Sequence, residues 1–354
     1  MNVYIDPGSR HYLNNALFEK EANDSEDDFL LIWRHLKEYC RKRDIILNTA
    51  DFWNKDRASK NDIYVSLGHK NFAKRFYWKL KNKNHSADLK NFKKRILLQG
   101  EPPVAEPEAY QSIKGLVKIY DQVYFPFKSG DSRARYYLMP FSRDETLSYW
   151  QNADRKFLTM IHANRSPRSV KKILLLAVSG GFRYLGHKEL FSERIKAIKF
   201  FSRTSDIDLY GYDWDKPPFF PYWFSKKSIQ KVYKGSIPAI KLRKLSEYNF
   251  ALTFENCFLP GYISEKIFDC FYAGTIPVYL GATDIQEYIP KECFVDMRDF
   301  KNYGELKKFL KSLTPSEIQE YRDNAQQFLR SQRMEPFTNK HFIEFFVNMV
   351  SEKD

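Results

Sequence analysis

The stretch FENCFLPGYISEKIFDCFYAGTIPVYLG, Phe254 to Gly281, reads as a strand end, a short loop, a helix and a second strand. Ser264 stands where a helix N-cap is expected, which puts Glu265 and Lys266 in the first helical turn. Ile267, Phe268, Phe271 and Tyr272 recur at helical spacing and supply a face to bury. Gly274 is a stop signal, and TIPVYLG resumes as a strand. A strand, a helix and a second apolar strand form the repeating unit of a parallel α/β sheet. Ligands bind such sheets beyond the carboxyl ends of their strands. The loop after FALTFEN lies at such an end.

A carboxylate and an ammonium side by side at a helix start have a chemical use. Free amides and the helix dipole favour an anion there. Lys266 adds a mobile positive charge suited to phosphate. Glu265 accepts hydrogen bonds and suits a sugar diol. The dipeptide alone would more often be an exposed charge pair at a helix end. Its ordered context points to a nucleotide-sugar site.

The same alternation runs outward in both directions. NVYIDP, DIILN, DIYVSLG and RILLQGEPP read as strands, and Phe29 to Arg43 has helical periodicity. YDQVYFPF and RYYLMPF are further strand candidates. The chain turns polar near Thr146 to Lys156, and KFLTMI then opens a second α/β series. LFSERIKAIKFFS reads as a helix and DIDLYG as a strand, while KKILLLAVSGGF carries no clear assignment. The expected division is a first α/β domain at 1–150, a second at 151–335 and a last helix at 336–354. That helix is expected to return to the first domain. Membrane contact through Phe342, Phe345 and Phe346 is its rival use.

Bulk properties narrow the class. The chain has 354 residues, enough for two cores, and 43% are hydrophobic, which suits a globular rather than a disordered protein. No run approaches the ~20 apolar residues of a membrane span, and the start lacks signal-peptide features. A cytoplasmic protein with reduced cysteines is expected; Cys40, Cys257, Cys270 and Cys293 show no metal-ligand spacing. The formal net charge of +14 includes dense basic stretches at Lys74 to His85 and Lys90 to Arg95. These are either a solvated face or a peripheral contact with the inner, anionic face of a membrane.

Residues 254–300 resemble the donor-binding motif of the α-1,3/4-fucosyltransferases, glycosyltransferase family ten. The matching positions are Phe254-Glu255-Asn256, Tyr262 to Lys266, Gly274 to Val278, Gly281, Phe294-Val295 and Asp299-Phe300. Upstream, HANRSP, SERIKAIKFF and DIDLYG are similar to the family's next segments, although 171–190 looks inserted. Arg165, Arg168 and Arg183 therefore compete with Arg194 for the family's arginine. RILLQGEPP resembles the family's loop in the first half, and the N-terminal segments look like those of bacterial members.

The resemblance implies a GT-B fold, with two Rossmann-like domains facing across a cleft, 1–150 binding the acceptor and 151–335 the donor. It implies GDP-fucose as donor, inversion at the anomeric carbon, no bound metal and no other cofactor. It makes Glu101 the base that removes the acceptor proton, with Glu106 and Glu108 as rivals. It places Asn164, Arg194, Asn256, Tyr262, Glu265 and Lys266 at the donor. Arg194 and Lys266 fit the departing diphosphate, since positive groups must hold that charge where no metal does. Asn256 contacts the donor or orients Glu265. Tyr262 stacks on the base or bonds the ribose, unless it is a packing staple. Asn164 touches phosphate or merely forms a turn. The acceptor is expected to be an oligosaccharide or lipid-linked glycan of lipopolysaccharide or capsule synthesis. The rivals are the same fold with another nucleotide sugar, a sugar-binding module without activity, and a basic nucleic-acid-binding protein. For the last, no tight basic-aromatic motif is present.

Overall fold

The computed structural model describes residues 1–19, 28–69, 89–106, 110, 113–143, 148–151, 154–165, 189–216, 218, 222–236 and 241–352. The unassigned stretch KKILLLAVSGGF and the basic run Lys74 to His85 lie outside the described residues.

The described chain forms two compact units. Unit 1 holds Met1–Pro140 and Phe337–Asp354, and unit 2 holds Phe141–Ser169 and His187–Pro336. The first boundary falls ahead of the expected 150. Phe141 stacks on Phe268 at 5.1 Å, and Arg143 pairs with the buried Asp269 at 2.6 Å. Those two contacts assign the linker to unit 2.

Unit 1 is a parallel sheet of β1 (Asn2–Asp6), β2 (Ile46–Thr49), β3 (Ile63–Ser66), β4 (Lys94–Leu98), β5 (Gln122–Phe125) and β6 (Arg135–Tyr136). The order is β2-β1-β3-β4-β5-β6. β3 is buried at every position, as befits a strand covered on both faces. Helix α1 (Asp28–Arg41) buries Leu30, Ile32, Trp33 and Leu36, the stripe its periodicity indicates. The short helix α2 (Ile113–Leu116) precedes β5.

Unit 2 is a second parallel sheet of β7 (Lys156–Ile161), β8 (Asp208–Tyr210), β9 (Tyr248–Phe254), β10 (Ile276–Leu280) and β11 (Val295–Asp296). Its order is β11-β10-β9-β7-β8. The helices are α3 (Phe191–Phe201), α4 (Lys226–Val232), α5 (Lys241–Leu245), α6 (Glu265–Ala273), α7 (Tyr303–Ser312) and α8 (Pro315–Leu329). Thr314 and Glu317 form a reciprocal capping box at the start of α8, with Pro315 at its first position. Gly274 ends α6 in the left-handed conformation. Arg155 donates to the Ala273 and Gly274 carbonyls and Arg322 to that of Gly274, so two cations face the negative end of the helix. Burial, with Arg322 beside it, brings the Arg155 guanidinium down to about 10.

The last helix, α9 (Asn339–Ser351), belongs to the core of unit 1. Phe342 and Phe346 meet Trp33 edge to face at 5.9 and 6.1 Å. Phe345 stacks on Tyr137 at 5.7 Å. Each large apolar side chain buried this way stabilises by about 1.5–3 kcal/mol. Beyond the helix, the Glu352 carboxylate accepts from Gln122 and Arg135, and its carbonyl from Lys94.

Candidate functional site

Both sheets reverse their winding at one place. In unit 2 that place lies between β7 and β9, where connections leave in opposite directions and the strand ends open a crevice. His162 and Asn164 follow β7, and Glu255 and Asn256 follow β9.

Glu255 is fully buried, and its carboxylate is bound by the loop and helix that follow. It accepts from the Ser264 amide at 2.9 Å, from the Ser264 hydroxyl at 2.7 and 2.8 Å, and from Lys266 Nζ at 3.0 Å. The Lys266 ammonium also donates to Ser264 Oγ at 2.7 Å. A buried carboxylate is tolerable only when paired and hydrogen-bonded, and here it is both. Gly281 makes the arrangement fit. A Cβ at that position would lie 2.5 Å from Glu255 Cγ, so any side chain would displace the carboxylate.

This geometry corrects the expected role of the Ser264 hydroxyl. Ser264 is the N-cap residue of α6, but among the described residues its side chain makes no capping bond. The stronger acceptor, Glu255, takes its proton. Lys266 is likewise no freely mobile cation, being largely buried and 3.5 Å from Glu265 but 3.0 Å from Glu255.

Glu265 is half exposed, and it faces a concentration of positive charge. Crowding opposes ionisation, but Lys266 and Lys241 overcome it and hold the carboxyl down at about 2. Lys241 is itself raised: burial pulls it down, and Asp269 and Glu265 outweigh that pull. Lys241 and Arg143 both pair with Asp269 at 2.6 Å.

Arg194 lies in the first turn of α3 with 3% of its surface exposed. Its Nη2 donates to the Phe254 carbonyl at 2.6 Å and to Asn256 Oδ1 at 3.0 Å. Its Nε is buried and meets no partner among the described residues. Burial lowers the guanidinium to about 10, against the upward pull of Glu255, Tyr262 and Glu265. Arg165 also acts on this charge. Arg168 and Arg183, the other rivals for this role, lie outside the described residues.

His162 is buried beside the same cations. Burial first, then Arg194, Lys266 and Lys241, push it well below its ordinary value, so it is neutral. Its Nε2 lies 3.3 Å from the Leu252 carbonyl. Its own carbonyl accepts from Trp214 at 2.5 Å and lies against Gly211. Gly211 has φ +135°, and a Cβ there would sit 1.9 Å from that oxygen. Only glycine fits.

Asn164 is bound to the loop after β8, donating to the Asp213 carbonyl at 2.9 Å and the Lys216 carbonyl at 3.3 Å. Tyr262 is 3% exposed, so its ring is a packed face rather than an open stacking platform. Unit 2 thus gathers Arg194, Asn256, Glu265 and Lys266 around Glu255.

Glu101 belongs to unit 1, past the carboxyl end of β4, with its side chain exposed. The backbone beneath it is held tightly. Tyr110 donates to the Glu101 carbonyl at 2.5 Å, and Tyr137 to the Gln99 carbonyl at 3.1 Å. The fully buried Gln99 side chain donates to Glu106 at 2.8 Å and accepts from the His69 amide at 3.0 Å. Glu106 is therefore engaged within its own loop; Glu108 lies outside the described residues. Among the described residues, no cluster of three or more His, Cys, Asp or Glu is arranged to hold a metal ion, and no helix is long and apolar enough to cross a membrane.

Two residues central to this geometry were given no role from the sequence. Glu255 sits inside the recognised strand-end motif, where its alternation into the buried side, followed by a serine and lysine near the next helix start, was the available signal. Gln99 carried no signal beyond its place at the end of an apolar strand.

Comparison with known proteins gives a consistent picture. Residues 183–341 match the family model described as glycosyltransferase family 10 (fucosyltransferase), C-terminal. The chain is 41% identical over 69 residues to the Helicobacter pylori α-(1,3)-fucosyltransferase FucT, covering 20% of this chain and 14% of that protein. It is 39% identical over 82 residues to mouse 4-galactosyl-N-acetylglucosaminide 3-α-L-fucosyltransferase 9, covering 23% of this chain and 21% of that one. These matches span a small part of either relative's length. A crystal structure of an α1,3-fucosyltransferase superposes with a TM-score of 0.51 and 15% identity, covering all of this chain and 91% of that one. At that identity the likeness concerns the fold, which is the GT-B fold expected from the sequence.

Proposed function

From the premise that residues 183–341 belong to glycosyltransferase family 10, we propose that the protein transfers L-fucose from GDP-fucose to a hydroxyl of a glycan, inverting the anomeric carbon. The observation that carries this reading is the cluster at the β7/β9 switch point. Arg194, Lys266 and Lys241 concentrate positive charge at the start of α6, next to a half-exposed carboxylate held ionised.

The diphosphate is assigned to that positive charge. As the sugar–oxygen bond breaks, negative charge grows on the leaving phosphate, and preorganised cations stabilise it where it develops. Glu265 is assigned to sugar or ribose hydroxyls, which it meets as an acceptor at any physiological pH. Asn256 bridges the two by fixing Arg194 while its own loop bends toward α6. The buried Tyr262 is assigned to packing its loop, and Asn164 to fixing the loop after β8.

Glu101 is assigned the acceptor proton. A hydroxyl is a poor nucleophile until its proton has an acceptor, and an exposed carboxylate on a rigid loop is a suitable one. The fixed Glu101 carbonyl sets where its side chain begins. Leaving charge on this reading is held by side chains rather than by a metal ion, so activity is expected to persist in EDTA. An oligosaccharide or lipid-linked acceptor of a surface polysaccharide, met at the inner face of a membrane, is the accompanying proposal for acceptor and place.

The test is transfer from GDP-fucose, GDP-mannose and UDP-hexoses to a panel of galactose- and N-acetylglucosamine-containing oligosaccharides. Fucose transfer with an inverted product linkage is expected. Transfer from a UDP-hexose alone would move the donor assignment, and complete loss in EDTA restored by Mn²⁺ would overturn the metal-independent step.

A further inference from the structure

The donor reading gives Lys266 to the diphosphate, yet the structure shows its ammonium already occupied. It lies 3.0 Å from a carboxylate that is itself wholly buried and bound by Ser264. That carboxylate belongs to neither of the expected donor contacts nor to the base.

We propose that Glu255 is a positioning residue for nucleotide binding. From the end of β9 it holds the Lys266 ammonium and the Ser264 hydroxyl in place at the start of α6 before the donor arrives. The inference rests on the donor reading, since it concerns how that site is built.

Three observations carry it. First, Glu255 is anchored at both ends. Its amide donates to the Leu280 carbonyl at 2.8 Å and its carboxylate spans Ser264 and Lys266, so strand, loop and helix share one fixed group. Second, room for it is made by Gly281, whose Cβ would strike Glu255 Cγ at 2.5 Å. Third, a lysine at a helix start would otherwise range through solvent on four rotatable bonds. Ordering it in advance removes a cost that binding would have to meet.

A buried anion beside a phosphate site has an opposite possible consequence, which makes the sign of the effect decisive. Were Glu255 a bystander, its negative charge would repel the diphosphate, and its removal would tighten binding. As a positioning group, its removal weakens binding, and only through Lys266.

The experiment is a double-mutant cycle on GDP binding by calorimetry, using the full chain as parent, Glu255→Gln, Lys266→Ala and the double variant. Glu255→Gln keeps the shape and loses the charge. Each single change is expected to weaken GDP about ten- to a hundred-fold, and the double to be no weaker than Lys266→Ala within about twofold. Tighter binding by Glu255→Gln, or an equal loss in the Lys266→Ala background, overturns the inference and leaves the donor reading intact. Unchanged GDP binding by Lys266→Ala overturns the donor reading itself. A second measurement needs no variant. In the unliganded parent, Lys266 is expected to acylate with acetic anhydride at least ten-fold more slowly than the exposed Lys226. Equal rates would show that nothing holds the ammonium and would overturn the inference even if Glu255→Gln failed to fold.

Discussion

The two sheets share one winding order and differ in what lies at the reversal. In unit 2, the end of β9 carries buried charge, Glu255 against Lys266 beside a buried Arg194, and the following helix α6 adds Asp269 against Lys241 and Arg143. In unit 1, the strand ends carry carboxylates held by neutral donors rather than by cations. Tyr64 and the Gly8 amide donate to Asp6, Ser66 to the Gly68 carbonyl, and Gln99 spans the loop after β4. The carboxylates past β4, Glu101 and Glu106, stand at the surface. One scaffold therefore supports two electrical environments. On the proposed reading, the charge cluster of unit 2 holds the polyanion and the exposed Glu101 carboxylate of unit 1 takes the proton.

The contrast is most directly broken at Glu101. Glu101→Gln is expected to leave GDP affinity near normal and to lower turnover by ~10²–10⁴-fold, the usual contribution of a positioned base. Steady-state transfer and GDP calorimetry on the same sample check both halves. Parent-level turnover, with Glu106→Gln or Glu108→Gln inactive, would move the base along the loop.

Next in size is the loss of either donor cation. Lys266→Ala or Arg194→Ala removes a charge-assisted contact of about 1.5–3 kcal/mol, so GDP should bind roughly ten- to a hundred-fold more weakly. If neither titration moves, unit 2's charge is structural and the contrast has no bearing on the donor.

A smaller effect sharpens the comparison through pH. His162 is neutral in the folded state because burial and three cations depress it, whereas an unfolded histidine titrates near its ordinary value. The unfolded chain therefore binds the extra proton. Stability from the neutral ring is complete above about pH 6.5 and declines by up to about 1.4 kcal/mol per pH unit as pH falls toward the folded value. Denaturant melts between pH 7 and 5 should show this slope, and His162→Gln should flatten it. An unchanged slope would mean that the ring is not held neutral in the folded state.

The smallest expected effect is in unit 1. Arg135 and Glu352 pair at 2.6 Å, with both side chains about half exposed. Arg135→Ala should cost about 0–1 kcal/mol in a urea melt, because solvent screens such pairs. A loss above 2 kcal/mol would show that unit 1 also depends on charge.

Much of this was readable before any coordinates. The alternation of apolar runs and helical stripes placed the strands of both sheets except β11, because a strand covered on two faces must be apolar throughout and β11 has only two residues. RYYLMPF promised a longer strand than the two residues of β6, since edge pairing depends on a neighbour that periodicity does not encode. Arg194 came from the family resemblance, with Arg165, Arg168 and Arg183 as rivals, whereas Lys266 stood out as a cation at a helix start. Glu255 did not, although it sat in the quoted motif. A buried carboxylate looks like any other in a sequence, and its meaning comes from Ser264, Lys266 and Gly281 closing around it. Ser264 illustrates the same limit: its capping position was legible, but the competing acceptor that redirects its hydroxyl was not.

Helix α9 reaches the core of unit 1 after the whole of unit 2 has been threaded through the chain. During synthesis, β1 to β6 leave the ribosome well before Phe342 and Phe346 exist to cover Trp33. Domains generally complete in order from the N-terminus. Here the order inverts: unit 2 has all its residues by Pro336, while unit 1 waits with an apolar face uncovered. Nascent chains stalled before Asn339 should hold a protease-resistant unit 2 beside a cleavable unit 1, which makes the earlier-made half the one that would need a chaperone.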